Sequence, residues 1–397
     1  MAKLSNRFWF QLHGWFSLPV WLLFCFVCLT GTIAVISQEL TWLSNPNSRA
    51  SNPENYEMKS ASELIDIVQN ANPTAKITTL MTFEPYLIHA VIFTDKDKPQ
   101  AIAYVNQYTG EIQGVYEDIT FNGFMRGLHS WLLFPWESNY SIGYYIVCAM
   151  AFVMLGALIT GLVIYKNFWR AFTQPKLRIK QGKKTLYGDL HRLAGVWSLW
   201  FLLLMSLTGL WYLVQAVLWH ADYDIEPHSP IATVEQLPLG NNIDTSAQTS
   251  LSRALDIAHK KFPDFKGTYL MLPEHNRDTY KLYGSGDFIF HDKYSYGVIV
   301  NPWTSEIVGE RSPDKMTVLQ TLSHIADPLH YGTVGGIWTK IIWFVFGVLL
   351  TGMSITGFLM WGSRTVKASK INQESDTEVN TTQTSGGKQT LVQQEIQ

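Results

Sequence analysis

Four times a leucine-histidine pair stands at the mouth of a long apolar run: Leu12-His13, Leu128-His129, Leu190-His191 and Leu329-His330. Imidazole is a good ligand for haem iron, and histidines paired at the ends of membrane helices can hold one, which would make the chain an electron conduit. A lone histidine at a helix end is ordinarily interfacial or a cap; four placed alike ask for a common explanation. Zinc and copper also accept imidazole, but no set of Cys, Asp or Glu stands with these residues in the helices to complete such a site.

The elements that must position them are apolar and long. Residues 15–36, 143–165, 193–219 and 341–362 contain no Asp, Glu, Lys or Arg, and each is about the length that crosses roughly 30 Å of hydrocarbon. We expect four spanning helices, the first kinked at Pro19. The first run is too long for a signal-peptide core and leads into Ser37-Gln38-Glu39, so it should stay attached. The loop between the second and third runs carries Lys166, Arg170, Lys176, Arg178, Lys180, Lys183, Lys184 and Arg192 against the single acid Asp189. By the positive-inside rule this loop and both termini face the cytoplasm, as expected for a bacterial inner-membrane protein. The same loop suits contact with anionic lipid. With 47% apolar and 16% charged residues and a net charge of −2, the composition is that of a mixed membrane and aqueous protein and offers nucleic acid no partner surface.

The expected organisation is a first span over residues 1–42, an outer domain over 43–128, a second span over 129–165 and the basic loop over 166–192. A third span over 193–219, a second outer domain over 220–329, a fourth span over 330–365 and a disordered polar tail over 366–397 complete it. The halves repeat. His13 and Leu29-Thr30-Gly31 map onto His191 and Leu207-Thr208-Gly209 at a single offset, and His129 with Ile159-Thr160-Gly161 maps onto His330 with Ile355-Thr356-Gly357. Asn106 to Ile112 resembles Asn301 to Ile307 in the same way. An even number of spans per half makes the repeats parallel. Each outer domain should be a small α+β unit: a helix near 61–70 or 251–262, followed by strands near 79–83, 86–93 and 101–106, or near 268–272, 279–283, 288–291 and 296–301. Cys25, Cys28 and Cys148 lie in apolar runs, so no disulfide framework supports these domains and packing is the plain role for all three.

The Leu-His pairs, the Leu/Ile-Thr-Gly triplets and the outer Val-Asn-x-x-Thr-Gly-Glu-Ile segment resemble the PepSY-associated transmembrane family, also called iron-regulated membrane proteins, over residues 8–365. The resemblance implies a membrane protein with four helices in two parallel repeats, each with a periplasmic PepSY-like α+β domain. It further implies, from the family's best-understood members, an inner-membrane reductase carrying two b-type haems and acting on periplasmic ferric siderophores. The second domain departs from the motif, with Pro302-Trp303-Thr304-Ser305 at the turn.

Pairing follows from direction. His13 and His191 would share the cytoplasmic end and His129 and His330 the periplasmic end, giving two haem b sites. His220 and His324 are alternative ligands for the outer haem, with loop hydrogen bonding as their plain role. Asp327 is a candidate orienting acceptor for His330, although a turn role before Pro328 competes. Arg126 and Arg192 are candidates for haem propionates, and an interfacial cation would look the same. Small residues in the Thr-Gly triplets would let a flat macrocycle or a neighbouring helix come close, and helix packing is the commoner cause. Tyr269, Tyr280, Tyr283, Phe288, Phe290, Tyr294, Tyr296 and Trp303 are candidates for an aromatic platform beneath an iron chelate, and packing of a sheet is their commoner use. Neither a phosphate loop nor a nicotinamide fingerprint appears, so electrons would come from quinol or a cytoplasmic reductase. The competing functions are a quinol-oxidising cytochrome serving another periplasmic acceptor and a non-catalytic anchor whose outer domains bind a periplasmic protein.

Overall fold

A computed structural model describes residues 5–96, 98–237 and 249–363; the expected polar tail lies outside them. Within the described residues the chain forms two compact units. One draws on the described residues within 5–28, 153–202 and 348–363, the other on those within 29–152 and 203–347.

Helices α6 (Ile142–Ile164), α9 (Leu199–His220) and α12 (Gly336–Ser363) are each long and apolar enough to cross a membrane. The fourth candidate is a broken one, α1 (Asn6–Ser17) and α2 (Trp21–Val35), which meet at 64°. Pro19 sits in the break, where its ring and missing N–H forbid helix continuation. Counting that pair as one gives the four expected spans.

Three boundaries differ from expectation, and the differences matter for the histidines. His129 ends a separate helix, α5 (Phe121–Trp131), closed by Leu132 at φ 54°. His330 likewise ends α11 (Val318–Tyr331), closed by Gly332 at φ 72°. His191 lies on α8 (Lys183–Trp197), which breaks at Ser198 before α9 begins. The histidines therefore stand on short lead-in helices, and apolar content alone could not reveal the turns between these and the spans.

The second unit contains a sheet. Strands β1 (Lys76–Met81), β2 (His89–Asp95), β3 (Lys98–Val105) and β4 (Ile112–Tyr116) come from the first expected domain. Strands β5 (Lys266–Met271), β6 (Tyr280–Ser285), β7 (Tyr296–Val300) and β8 (Ile307–Arg311) come from the second. They form one antiparallel sheet in the order β4-β3-β2-β1-β5-β6-β7-β8. Two domains were expected; β1 and β5 instead zip together, with Leu80 opposite Leu270. This joining has a physical reason, since two four-stranded sheets would each leave an unpaired edge. Helices α4 (Ala61–Ala71) and α10 (Leu251–Lys261), capped by Ser60 and Ser250, contribute Leu64, Val68, Leu251 and Ala254 to the apolar core with Leu80, Val91, Leu270 and Leu282. The segment 288–291, expected as a strand, is a loop that exposes Phe288, Ile289 and Phe290.

Leu80 and Leu270 are fully buried on either side of the seam. Leu80→Ala is expected to cost about 3 kcal/mol by transfer and cavity terms. The loss should be read as a lowered thermal midpoint of the full-length chain, and Leu80→Ala/Leu270→Ala should fall short of additivity because both truncations open one cavity. Full additivity would contradict a shared seam.

Candidate functional site

In the first unit, His13 and His191 face each other with ring centroids 6.2 Å apart and planes at 85°. In the second, His129 and His330 lie 6.3 Å apart at 30°. Two imidazoles facing across one metal ion, each bonded at about 2.0 Å, place their centroids about 6 Å apart. Both spacings match that geometry.

The Thr-Gly triplets explain how the rings are aimed. His13 Nδ1 lies 2.9 Å from Thr160 Oγ1, and His330 Nδ1 lies 2.8 Å from Thr208 Oγ1. Each threonine already donates its one hydroxyl hydrogen to its own helix, Thr160 to Gly156 O at 2.6 Å and Thr208 to Leu204 O at 2.9 Å. The oxygens can then only accept, so Nδ1 donates in both histidines. His191 Nδ1 reaches the same state by a different partner, the Met353 carbonyl at 2.9 Å, with Thr356 Oγ1 at 3.5 Å. A carbonyl has no hydrogen to give. His129 Nδ1 faces Thr30 Oγ1 at 3.4 Å. For His13, His191 and His330 this fixes the tautomer whose Nε2 carries a lone pair, the form a metal takes.

The glycine of each triplet is graded in its closeness to a ring. A Cβ on Gly31 would lie 2.6 Å from His129 Cε1, on Gly357 3.2 Å from His191 Cε1, and on Gly161 3.5 Å from His13 Cε1. Gly209 is different, because its Cβ would meet Ala151 at 2.9 Å and not a histidine. Orientation of the rings, beyond the helix packing expected of the triplets, is thus a use of Thr160 and Thr208 and of the close approaches at Gly31 and Gly357, while a Cβ on Gly161 would make only ordinary contact. The matching spacing of each triplet to a histidine on the partner helix was the available signal.

The other candidates are dispersed. Among the described residues no group of three or more His, Cys, Asp or Glu is arranged to hold a metal ion. His324 has both ring nitrogens on carboxylates, Nδ1 on Asp292 at 2.8 Å and Nε2 on Glu226 at 3.1 Å. It is therefore an ion-pair centre in the sheet's flank and not aimed at His129. His220 packs on Tyr140, with Tyr145 Oη 3.4 Å from its Nδ1. Asp327 accepts from Tyr212 Oη at 2.9 Å, and the Tyr212 ring stands edge-on to His330 at 5.1 Å. Its bond to His330 is thus indirect. Burial and the nearby Asp292 push the Asp327 carboxyl up to about 6. Arg192 is engaged by Asp189, which also receives Arg178 Nε at 2.9 Å; the one acid of the basic loop gathers its neighbouring cations.

The candidate aromatic residues divide between the two faces of the sheet: Tyr280 is in the core and Tyr296 packs on Phe262, whereas Tyr269 and Tyr283 are cross-strand neighbours on one face, with Tyr294 against Tyr269 and Arg311 over Tyr283.

Burial opposes a charge on His324, but the carboxylates of Asp292 and Glu226 outweigh it and hold the imidazolium up at about 9. The folded value stands above the unfolded one, so the stabilisation is fully present below about pH 6.5 and is lost as pH rises through about 9. His324→Gln should remove that pH dependence of the thermal midpoint between pH 7 and 9.5. An unchanged slope in the variant would exclude the assignment.

Compared with known proteins, residues 10–364 match the family model described as the PepSY-associated TM region. No curated protein matches the chain.

Proposed function

The chain belongs to the PepSY-associated TM family, and from that premise we propose that it is a bacterial inner-membrane reductase holding two b-type haems, which passes electrons across the bilayer to a periplasmic ferric siderophore. The observation that carries the reading is the pair of facing imidazole couples at 6.2 and 6.3 Å, each within one unit. Two imidazoles would fall short of the three or four protein ligands that zinc takes, and would suffice to hold a haem iron.

The residues fit such a group in two further ways. Thr160, Thr208 and the Met353 carbonyl fix the metal-binding tautomer. Gly31 and Gly357 keep the ring edges of His129 and His191 free of a Cβ. Bound between His13 and His191, and between His129 and His330, haem b would supply one-electron transfer at two points along the spans. The protein's own part is to bind, to orient and to exclude: the surrounding apolar helices keep water from the imidazoles.

Delivery of one electron to a ferric chelate weakens the grip of hard oxygen donors on the iron and releases it without breaking the chelator. Electrons would enter from quinol or from a cytoplasmic reductase docked on the basic loop. We read the two halves as parallel repeats, the basic loop and termini as cytoplasmic and the sheet as periplasmic, on the strength of the charge bias and the repeated triplets. A reduced-minus-oxidised spectrum of the purified protein with pyridine haemochrome quantification tests the proposal. Two haems per chain are expected, and protein without haem would overturn it.

A further inference from the structure

The sheet is uneven about the β1–β5 seam. On one side β2 passes to β3 through residues 96–97, Lys-Asp in the sequence; on the other, the connection from β6 to β7 runs from Gly286 to Ser295 and carries Phe288-Ile289-Phe290 at its tip. These three are 57%, 59% and 41% exposed. A single apolar residue on a surface needs no explanation, but three in succession do. The tip is a compact turn, in which the His291 N–H donates to the Phe288 carbonyl at 3.2 Å and the rings of Phe288 and Phe290 lie 5.7 Å apart. The carboxylates on either side of it are both paired, Asp287 with Lys266 and Asp292 with His324, each at 2.8 Å.

The height of this tip along the spans is set by α9 and α11. The two helices pack antiparallel, with Thr208 against His330 at 2.8 Å, Tyr212 against Asp327 at 2.9 Å and Gln215 against Ser323 at 2.8 Å. From Ser323 to His330, α11 therefore runs inward along the span. A helix carbonyl points towards the C-terminal end and is taken by the N–H four residues on. For the His324 carbonyl that residue is Pro328, which has no N–H to give. The Asp292 N–H takes it instead, at 2.9 Å. The loop is thus fastened on the inward side of His324, between the levels of Gln215 and Tyr212 on a helix that ends at His220. At 1.5 Å per residue this is about 8–12 Å inside the end of the span. At that end Trp219 lies against Tyr144 at 6.0 Å and His220 against Tyr140 at 4.8 Å, an aromatic belt of the kind that marks a membrane surface.

We propose that Phe288, Ile289 and Phe290 insert into the lipid surface beside the spans and hold the second half of the sheet down on the bilayer. This rests on α9 as a membrane span and not on the haem reading above. The tip emerges level with the last turns of α9, where the surroundings of an exposed side chain are headgroups and upper acyl chains. Burial of three apolar side chains there is favourable by transfer from water, and the paired carboxylates on either side leave no lone charge to oppose it. A partner from the aqueous phase would need the tip to stand clear of the bilayer, whereas the bond from Asp292 to the His324 carbonyl keeps it low.

The test uses full-length protein in phosphatidylcholine vesicles, with a nitrobenzoxadiazole label on Ile289→Cys. Wild-type protein taken through the same labelling gives the background from Cys25, Cys28 and Cys148. The control is the same label on Thr304→Cys, an exposed position in the turn at the other end of β7. Lipid carrying a nitroxide high on its acyl chain should quench the tip label several-fold more strongly than the control, and iodide in the water should do the reverse. Nitroxides at two acyl positions should place the tip about 5–10 Å into the headgroup and acyl boundary. Phe288→Ser/Phe290→Ser should remove most of the lipid quenching while the thermal midpoint holds, since these side chains are exposed and support no core. Pro328→Ala gives α11 an N–H of its own for the His324 carbonyl and should weaken the quenching as well. Equal lipid quenching at positions 289 and 304 would overturn the anchor. A tip label shielded from iodide yet untouched by lipid nitroxides would assign the tip to a protein partner, and shielding that grows with protein density in the vesicles would assign it to a second copy of the chain; either would overturn it too.

Discussion

On the proposed function, His330→Ala is expected to leave the purified protein with one low-spin haem where two are expected in the wild type, and His129→Ala should do the same. The reason is that each imidazole faces a single partner, His330 with His129 and His13 with His191. Removing either member of a pair destroys bis-histidine ligation at that site and spares the other. Double substitutions separate this pairing from any other. His129→Ala/His330→Ala should look like either single variant, with one low-spin haem left, while His13→Ala/His330→Ala should leave none. His220→Ala and His324→Ala should keep both, since His220 lies on Tyr140 and His324 is held between Asp292 and Glu226. The two low-spin signals should also be separable in wild type. Imidazole planes at 85° in one pair and 30° in the other give iron centres of different anisotropy in electron paramagnetic resonance. Pyridine haemochrome content and that spectrum are the measurements, and a His330→Ala protein with two intact low-spin signals would refute the pairing.

Much of this arrangement was legible in the sequence, for definable reasons. The four histidines declared themselves because apolar runs without a single charge leave few polar groups to explain, and because each recurred at a matching place. The partners of His13 and His129 followed from helix direction alone. The sheet was half legible. Short runs of β-branched and apolar residues such as those that became β2 and β7 carry their own signal, but pairing of β1 with β5 joins residues far apart in sequence through backbone groups, which no side chain encodes. Segment 288–291 misled because Phe, Ile and Phe favour strands by propensity, whereas its neighbours Asp292 and Lys293 are fastened to α11 and the β5 strand instead. His324 misled differently. Its distance of six residues from His330 suggested a shared depth, but the two carboxylates that claim it come from separate loops and could not be seen from helix periodicity. The triplets illustrate a third kind of limit: Thr and Gly are common in membrane helices, so their role appears only when the ring that each one touches is known.

The triplet glycines also allow a graded experiment with a large effect at one end. Gly31→Ala is expected to abolish low-spin ligation in the second unit, because the added Cβ would stand 2.6 Å from His129 Cε1 and 3.0 Å from its Nδ1. Real side chains do not approach so closely, so the ring must swing, and an imidazole displaced by even a fraction of an ångström loses both its aim and its bond to the metal. Gly357→Ala, at 3.2 Å from His191 Cε1, should weaken the first-unit site modestly, and Gly161→Ala, at 3.5 Å from His13 Cε1, should leave it intact. Gly209→Ala serves as the internal control, since its Cβ would collide with Ala151 and not with a ring. That variant should lower the thermal midpoint while the low-spin signal of His129 and His330 keeps its shape. Haem content and paramagnetic resonance across the four variants test the series. If Gly31→Ala and Gly161→Ala behaved alike, the glycines would be serving helix packing only, and the aim of each histidine would have to rest on the threonines alone.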